Sequence, residues 1–161
     1  MLGPAMNKDE IRESFSNIKV GRSEGVKAPH KPLLILFALG KCSHGEERLI
    51  SYHEVKWELG QLLKTFGGSQ KIPRAHYPFW RLHNDNIWVL TDTENVRETS
   101  SGDASEKDLI THNVSGGFQE EIYQYLQARP LFLQEISSMT LHNYFPENKW
   151  DSILDAVRLP H

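Results

Sequence analysis

The sequence predicts a mainly helical α+β domain with one small antiparallel hairpin or sheet, compatible with a winged-helix-like arrangement. Two observations carry this. Most apolar residues recur at three- and four-residue spacings over stretches of helical length, whereas Phe79 to Leu90 alternates, turns and returns as a hairpin would. With 161 residues, 39% hydrophobic and 24% charged, the chain is long enough to bury one core, so residues 6–161 are expected to form a single domain. Met1-Leu2-Gly3-Pro4-Ala5, ahead of Met6, reads as a vector-derived scar before a native start.

Ile11, Phe15 and Ile18 lie four and three residues apart, predicting a short amphipathic helix capped by Asn7. Lys19 to Lys27 breaks that period with two glycines and becomes a loop whose cations, Lys19, Arg22 and Lys27, suit phosphate contact. Leu33 to Gly40 is apolar on every face and predicts a central buried helix, with Pro32 in its first turn and His30 and Lys31 at its amide-bearing end. Leu49 to Phe66 predicts a second long helix, with Ser51 and Glu54 as a capping box and Gly67-Gly68 as its end. Pro78 is expected to start a first strand after an extended Tyr77, His83 to Asn86 to form the turn, and Ile87 to Leu90 the return strand. Thr93 to Ser105 reads as a long loop, and Ser105 caps a short helix through Ile110. Gly116-Gly117 is expected to open a helix from Phe118 to Ala128, followed by helices over Leu131 to Met139 and around Trp150 to Val157.

The single Cys42 excludes an internal disulfide, and no cysteine pairing has zinc-ribbon spacing. No apolar run approaches the roughly 20 residues that cross a bilayer, so a cytoplasmic protein with no membrane partner is expected. The net charge of -3 argues against an indiscriminate polyanion binder, but its distribution is uneven. Up to Thr91 there are 13 Lys/Arg against 9 Asp/Glu, and from Asp92 onward 5 against 12, the pattern of one face meeting a polyanion. No P-loop, dinucleotide fingerprint, GxSxG elbow or HExxH occurs, so no catalytic residue, metal ligand or cofactor is expected.

The run from Lys71 to Asp92 gathers four aromatic rings with Lys71, Arg74, His76 and Arg81 around Tyr77-Pro78. Neither a plain core strand nor a plain surface loop needs that mixture. Phe79, Leu82 and Trp88 read as core, and Tyr77-Pro78 beside His76 and Arg81 reads as a displayed binding face.

The segments APHKPLLILFALGK (28–41), FGG (66–68), YPFWRLHNDNIWVL (77–90), SGDAS (101–105) and SGGF (115–118) resemble, in that order, the sulfur-binding domain of restriction endonucleases that attack phosphorothioate-modified DNA, type IV enzymes of the McrA-like HNH kind. The first and third segments are the specific ones. The resemblance implies a mainly helical domain that binds duplex DNA while a separate HNH nuclease domain of the same polypeptide cuts it. It implies a sulfur pocket walled by Tyr77 and Pro78, with His30 and Lys31 supplying positive potential, Arg81 covering one side, and Ser101, Gly102 and Ala104 completing it. Lys19, Arg22, Lys27, Lys71, Arg74 and His76 would then contact DNA. The family roofs its pocket with a basic residue, and SGDAS carries none. Two other readings fit the residues: a winged-helix module reading unmodified DNA with Leu49 to Phe66, and a protein-interaction domain with Tyr77 to Trp80 as an aromatic hot spot.

Overall fold

The computed structural model describes residues 6–23, 26–68 and 74–161, so the leader Met1 to Ala5 lies outside the described residues. Helix α1 (Lys8–Ser16) begins with a reciprocal cap: Asn7 Oδ1 accepts from the Glu10 N–H at 2.8 Å, and Glu10 Oε1 accepts from the Asn7 N–H at 3.2 Å. Two short strands, β1 (Arg22–Ser23) and β2 (Val26–Lys27), then pair antiparallel where a loop was expected. Helix α2 (His30–Ser43) is the centre of the molecule, and every residue from Pro32 to Gly40 is buried. Its uniform apolarity follows from its neighbours, because α3 (Tyr52–Phe66), α4 (His76–Arg81), α6 (Glu120–Ala128) and α7 (Pro130–Tyr144) all pack on it.

Three expected boundaries move. Ile50–Ser51 is a strand, β3, so the second long helix starts at Tyr52 rather than Leu49. Ser51 caps it, accepting from the Glu54 N–H at 3.2 Å, but the return arm of the capping box is absent because the Glu54 carboxylate is engaged by Lys41 at 2.5 Å. The helix after Gly116-Gly117 starts at Glu120, because Ser115–Phe118 forms strand β5. Helix α7 starts at Pro130 and runs on to Tyr144, beyond the Met139 end expected. The remaining elements are α5 (Glu106–Thr111), capped by Ser105 as expected, and α8 (Trp150–Ala156).

The larger correction concerns the expected hairpin. Residues 76–81 are helical, Leu82–Asp85 continues as a 3-10 turn, and only Trp88–Thr91, β4, is a strand. The sheet has the order β3-β5-β4, and β4 pairs antiparallel with β5, Trp88 opposite Phe118 and Thr91 opposite Ser115. Pro78 is the third residue of α4, where the N–H it lacks would have no intrahelical acceptor, so the ring is tolerated without breaking the helix. The small antiparallel sheet of a mainly helical domain is present; its partner strand is distant in sequence.

Glycine makes that partner possible. A Cβ on Gly116 would stand 2.8 Å from Trp88 Nε1 and 2.9 Å from Phe79 Cε2, and one on Gly117 would stand 2.1 Å from the Arg48 carbonyl oxygen. The central strand therefore runs close enough for Trp88 and Phe79 to cover it, and these rings fix the back of α4. Among the described residues no helix is long and apolar enough to cross a membrane.

Candidate functional site

Helix α4 has two unlike faces. Phe79 and Leu82 are fully buried, and Phe79 packs against Tyr52 at 5.0 Å and edge-on to Trp88 at 6.3 Å between ring centroids. Trp88 in turn meets Phe118 edge-on at 5.8 Å, tying the helix to the sheet. The opposite face carries Tyr77 and Arg81, one helical turn apart, with Pro78 beside them. All three line a surface cavity of about 740 Å³. Its far wall is the loop Lys19-Val20-Gly21, and its third side is Ala28, His30 and Lys31 at the start of α2.

The cavity is apolar in its walls and ionic at its rim. Two guanidinium groups approach the Tyr77 ring, Arg74 at 5.5 Å and Arg81 at 5.0 Å from its centroid, and Arg74 donates a 2.8 Å hydrogen bond to the Tyr77 hydroxyl. Arg81 is also held from below: its Nε and Nη2 donate to the two oxygens of Asp103 at 2.5 and 2.6 Å. That fork keeps the Asp103 carboxyl below the ordinary aspartate range. Lys31 Nζ donates to Asp85 Oδ2 at 2.6 Å and to the Lys19 carbonyl at 2.7 Å, and Asp85 Oδ1 accepts from the Lys19 N–H at 2.8 Å. Asp85 thus joins the Lys19 loop to α2, and both pieces it joins line the cavity.

Of the residues singled out in the sequence, Tyr77, Pro78, Arg81, His30, Lys31, Lys19 and Arg74 surround this one cavity. Pro78 is buried by its neighbours rather than displayed, and the Lys31 charge, expected to project positive potential, is offset by Asp85. Ser101, Gly102 and Ala104 do not line the cavity. Ser101 donates to Asp103 at 3.3 Å, Gly102 is the exposed turn at φ +85, and Ala104 is buried in a bridge with Glu98, so the loop acts on the site through Asp103. His76 turns inward instead of toward a ligand. Its Nδ1 is buried 3.6 Å from Glu106 Oε2, its ring packs on Tyr77 at 4.4 Å, and burial lowers its pKa. The side chains of Arg22 and Lys27, and all of Lys71, lie outside the described residues. Nothing in the sequence marks Asp85 and Asp103, because an aspartate in HNDN or SGDAS reads as turn chemistry.

The alternative of α3 as a groove-reading helix with the expected 79–90 hairpin as its wing loses that wing, because residues 76–81 are helical, and its Glu54 and Glu58 face the surface beside Lys41. The fold and the cavity define a small α+β binding domain whose site is built where three segments meet around one short helix. The chain belongs to the family of ScoMcrA-like DNA sulfur-binding domains, whose family model matches residues 8–161. Among solved structures, the sulfur binding domain of ScoMcrA complexed with phosphorothioated DNA superposes with a TM-score of 0.83 at 22% identity, covering 92% of this chain and 94% of that one. The sulfur binding domain of SprMcrA complexed with phosphorothioated DNA gives 0.81 at 22% identity, over 96% and 95%. The type IV phosphorothioation-dependent restriction endonuclease ScoMcrA gives 0.79 at 22% identity, with this chain spanning 32% of its length. No curated protein matches the chain.

Proposed function

We propose that this domain binds duplex DNA carrying a phosphorothioate linkage, with the sulfur seated against Tyr77 and Pro78, and that it serves as the recognition module of a cytoplasmic McrA-like restriction endonuclease whose HNH nuclease domain lies elsewhere in the polypeptide. The observation that carries this is the cavity itself: a tyrosine face and a proline ring, neither offering a donor to an anion inside, enclosed by His30, Lys31, Arg74 and Arg81. Sulfur in place of a non-bridging oxygen is larger, more polarisable and a poorer hydrogen-bond acceptor. It gains dispersion from such walls, whereas an oxygen would give up its hydrogen bonds to water without replacement, a difference of about 1–3 kcal/mol. Family membership supports the same reading, and so do the phosphorothioated duplexes bound by the ScoMcrA and SprMcrA domains.

The exposed side chains of Lys19 and Arg74 stand at the cavity and supply backbone contacts that position the duplex without reading its bases. The domain itself performs no hydrolysis in this reading. Among the described residues no group of three or more His, Cys, Asp and Glu gathers as a metal site. Titration of one duplex with and without a single phosphorothioate tests the proposal. Binding at least about fivefold tighter to the modified duplex is expected; equal affinities would refute it.

A further inference from the structure

We propose that Asp85 and Asp103 are specificity-determining residues of the cavity: by holding Lys31 and Arg81 in preformed ion pairs they withhold positive charge from an unmodified phosphate, leaving the sulfur of a phosphorothioate favoured. This rests on the reading of the cavity as a sulfur site. A pocket built to capture an ordinary phosphate oxygen would present uncommitted donors. Here two of its cations meet carboxylates first. Lys31 Nζ lies 2.6 Å from Asp85 Oδ2, with the two side chains only 12% and 2% exposed. Arg81 turns Nε and Nη2 onto both oxygens of Asp103, whose side chain is 6% exposed. Even Arg74 spends an N–H on the Tyr77 hydroxyl.

An oxygen entering this cavity either takes a donor from one of these pairs, stranding a nearly buried carboxylate, or accepts a wall whose charge is already offset. Both outcomes weaken binding of plain DNA. Sulfur depends less on donors and more on contact with Tyr77 and Pro78, so the same carboxylates cost it less. Discrimination then has two parts, an apolar wall that favours the right ligand and buried acids that disfavour the wrong one. The acids also place their cations: Asp85 fixes Lys31 and the Lys19 N–H together, and Asp103 fixes Arg81 over the Tyr77 ring.

Asp103→Asn and Asp85→Asn keep the shape and an acceptor oxygen while removing the charge. Each is titrated with the unmodified duplex and with the duplex carrying one phosphorothioate, at several salt concentrations, after circular dichroism shows the fold intact. Affinity for the unmodified duplex should rise about fivefold in each variant, with a salt dependence steeper by about one ion. Affinity for the modified duplex should rise less, so the ratio falls. A purely structural role would instead lower both affinities without steepening the salt dependence. Unmodified-duplex affinity that is unchanged or lower in a folded variant overturns the assignment of that aspartate; should Asp85→Asn unfold, Asp103→Asn decides. If the wild-type domain itself fails to distinguish the two duplexes, the sulfur reading falls and takes this inference with it. If the wild type distinguishes them and neither variant gains affinity for plain DNA, this inference alone falls.

Discussion

Tyr77 is held by its neighbours: the Arg74 and Arg81 guanidiniums lie 5.5 and 5.0 Å from its ring centroid, Arg74 donates to its hydroxyl, and the His76 ring packs on it at 4.4 Å. Pro78 is fixed by the helix that contains it. Pro78→Ala leaves a residue that α4 accepts, and Tyr77→Ala removes the ring. Either should cost about 1–3 kcal/mol of affinity for phosphorothioate DNA while barely changing affinity for plain DNA, as paired titrations would show. Tyr77→Phe keeps the face but releases the Arg74 N–H that its hydroxyl accepts, so most of the discrimination should survive while the Arg74 contribution to salt dependence changes. His76 supplies a pH test. Burial lowers its pKa from the ordinary 6.5, so the unfolded chain takes up this proton more readily than the folded one. Stability should therefore fall as pH drops below about 6.5, the ordinary histidine value, and urea titrations of His76→Gln should lose that part of the slope.

At the level of elements, the short helix α4 and the glycine strand β5 were the least legible, and both hold the site in place. Phe79-Trp80-Arg81-Leu82 alternates well enough for a strand, but burial of Phe79, Trp80 and Leu82 together fits one helical face, and a six-residue helix is too short for its period to declare itself. Gly116-Gly117 reads as punctuation when its neighbours are unknown. Only the approach of Trp88, Phe79 and the Arg48 carbonyl shows that a side chain there would collide. Gly117→Ala should accordingly destabilise the domain by about 1–3 kcal/mol in chemical denaturation, and by forcing β5 away from its neighbours it should loosen the aromatic support of α4. The long helices were legible because their cues are local. Asn7, Ser51 and Ser105 all cap where the sequence places them, and the uniformly apolar stretch of α2 is buried throughout. Tyr77, Pro78, His30 and Lys31, all singled out in the sequence, line one cavity, whereas nothing in the sequence marks Asp85 and Asp103. Each aspartate pairs with a cation far off in the chain, 54 residues away for Asp85 and 22 for Asp103.

Across the whole molecule, the sign of charge follows the order of the chain, and the cavity forms where the basic part folds back on α2 with Asp103 reaching in from the acidic part. Binding should weaken with salt by about one power of concentration per phosphate contact, and Arg74→Ala should reduce that slope by about one without altering preference among sequences. Acid should unfold the domain partly through its paired carboxylates. Arg81 holds Asp103 down, and Arg97 holds Asp108 down, from an ordinary value of 3.8. The stability these pairs give is complete above that value and is lost as pH falls through the lowered native ones, so Asp103→Asn should flatten the acid limb of a stability profile. A cavity fixed against one side of a right-handed duplex also has a handedness. The two diastereomers of a single phosphorothioate point their sulfur in different directions, and only one can direct it at Tyr77 and Pro78. The most direct measurement is the equilibrium affinity of the domain for both diastereomers and for the unmodified duplex, in one buffer at one salt concentration. One diastereomer should bind at least about fivefold more tightly than the other, and the weaker should match unmodified DNA; equal binding of the two diastereomers would contradict a sulfur seat at Tyr77 and Pro78.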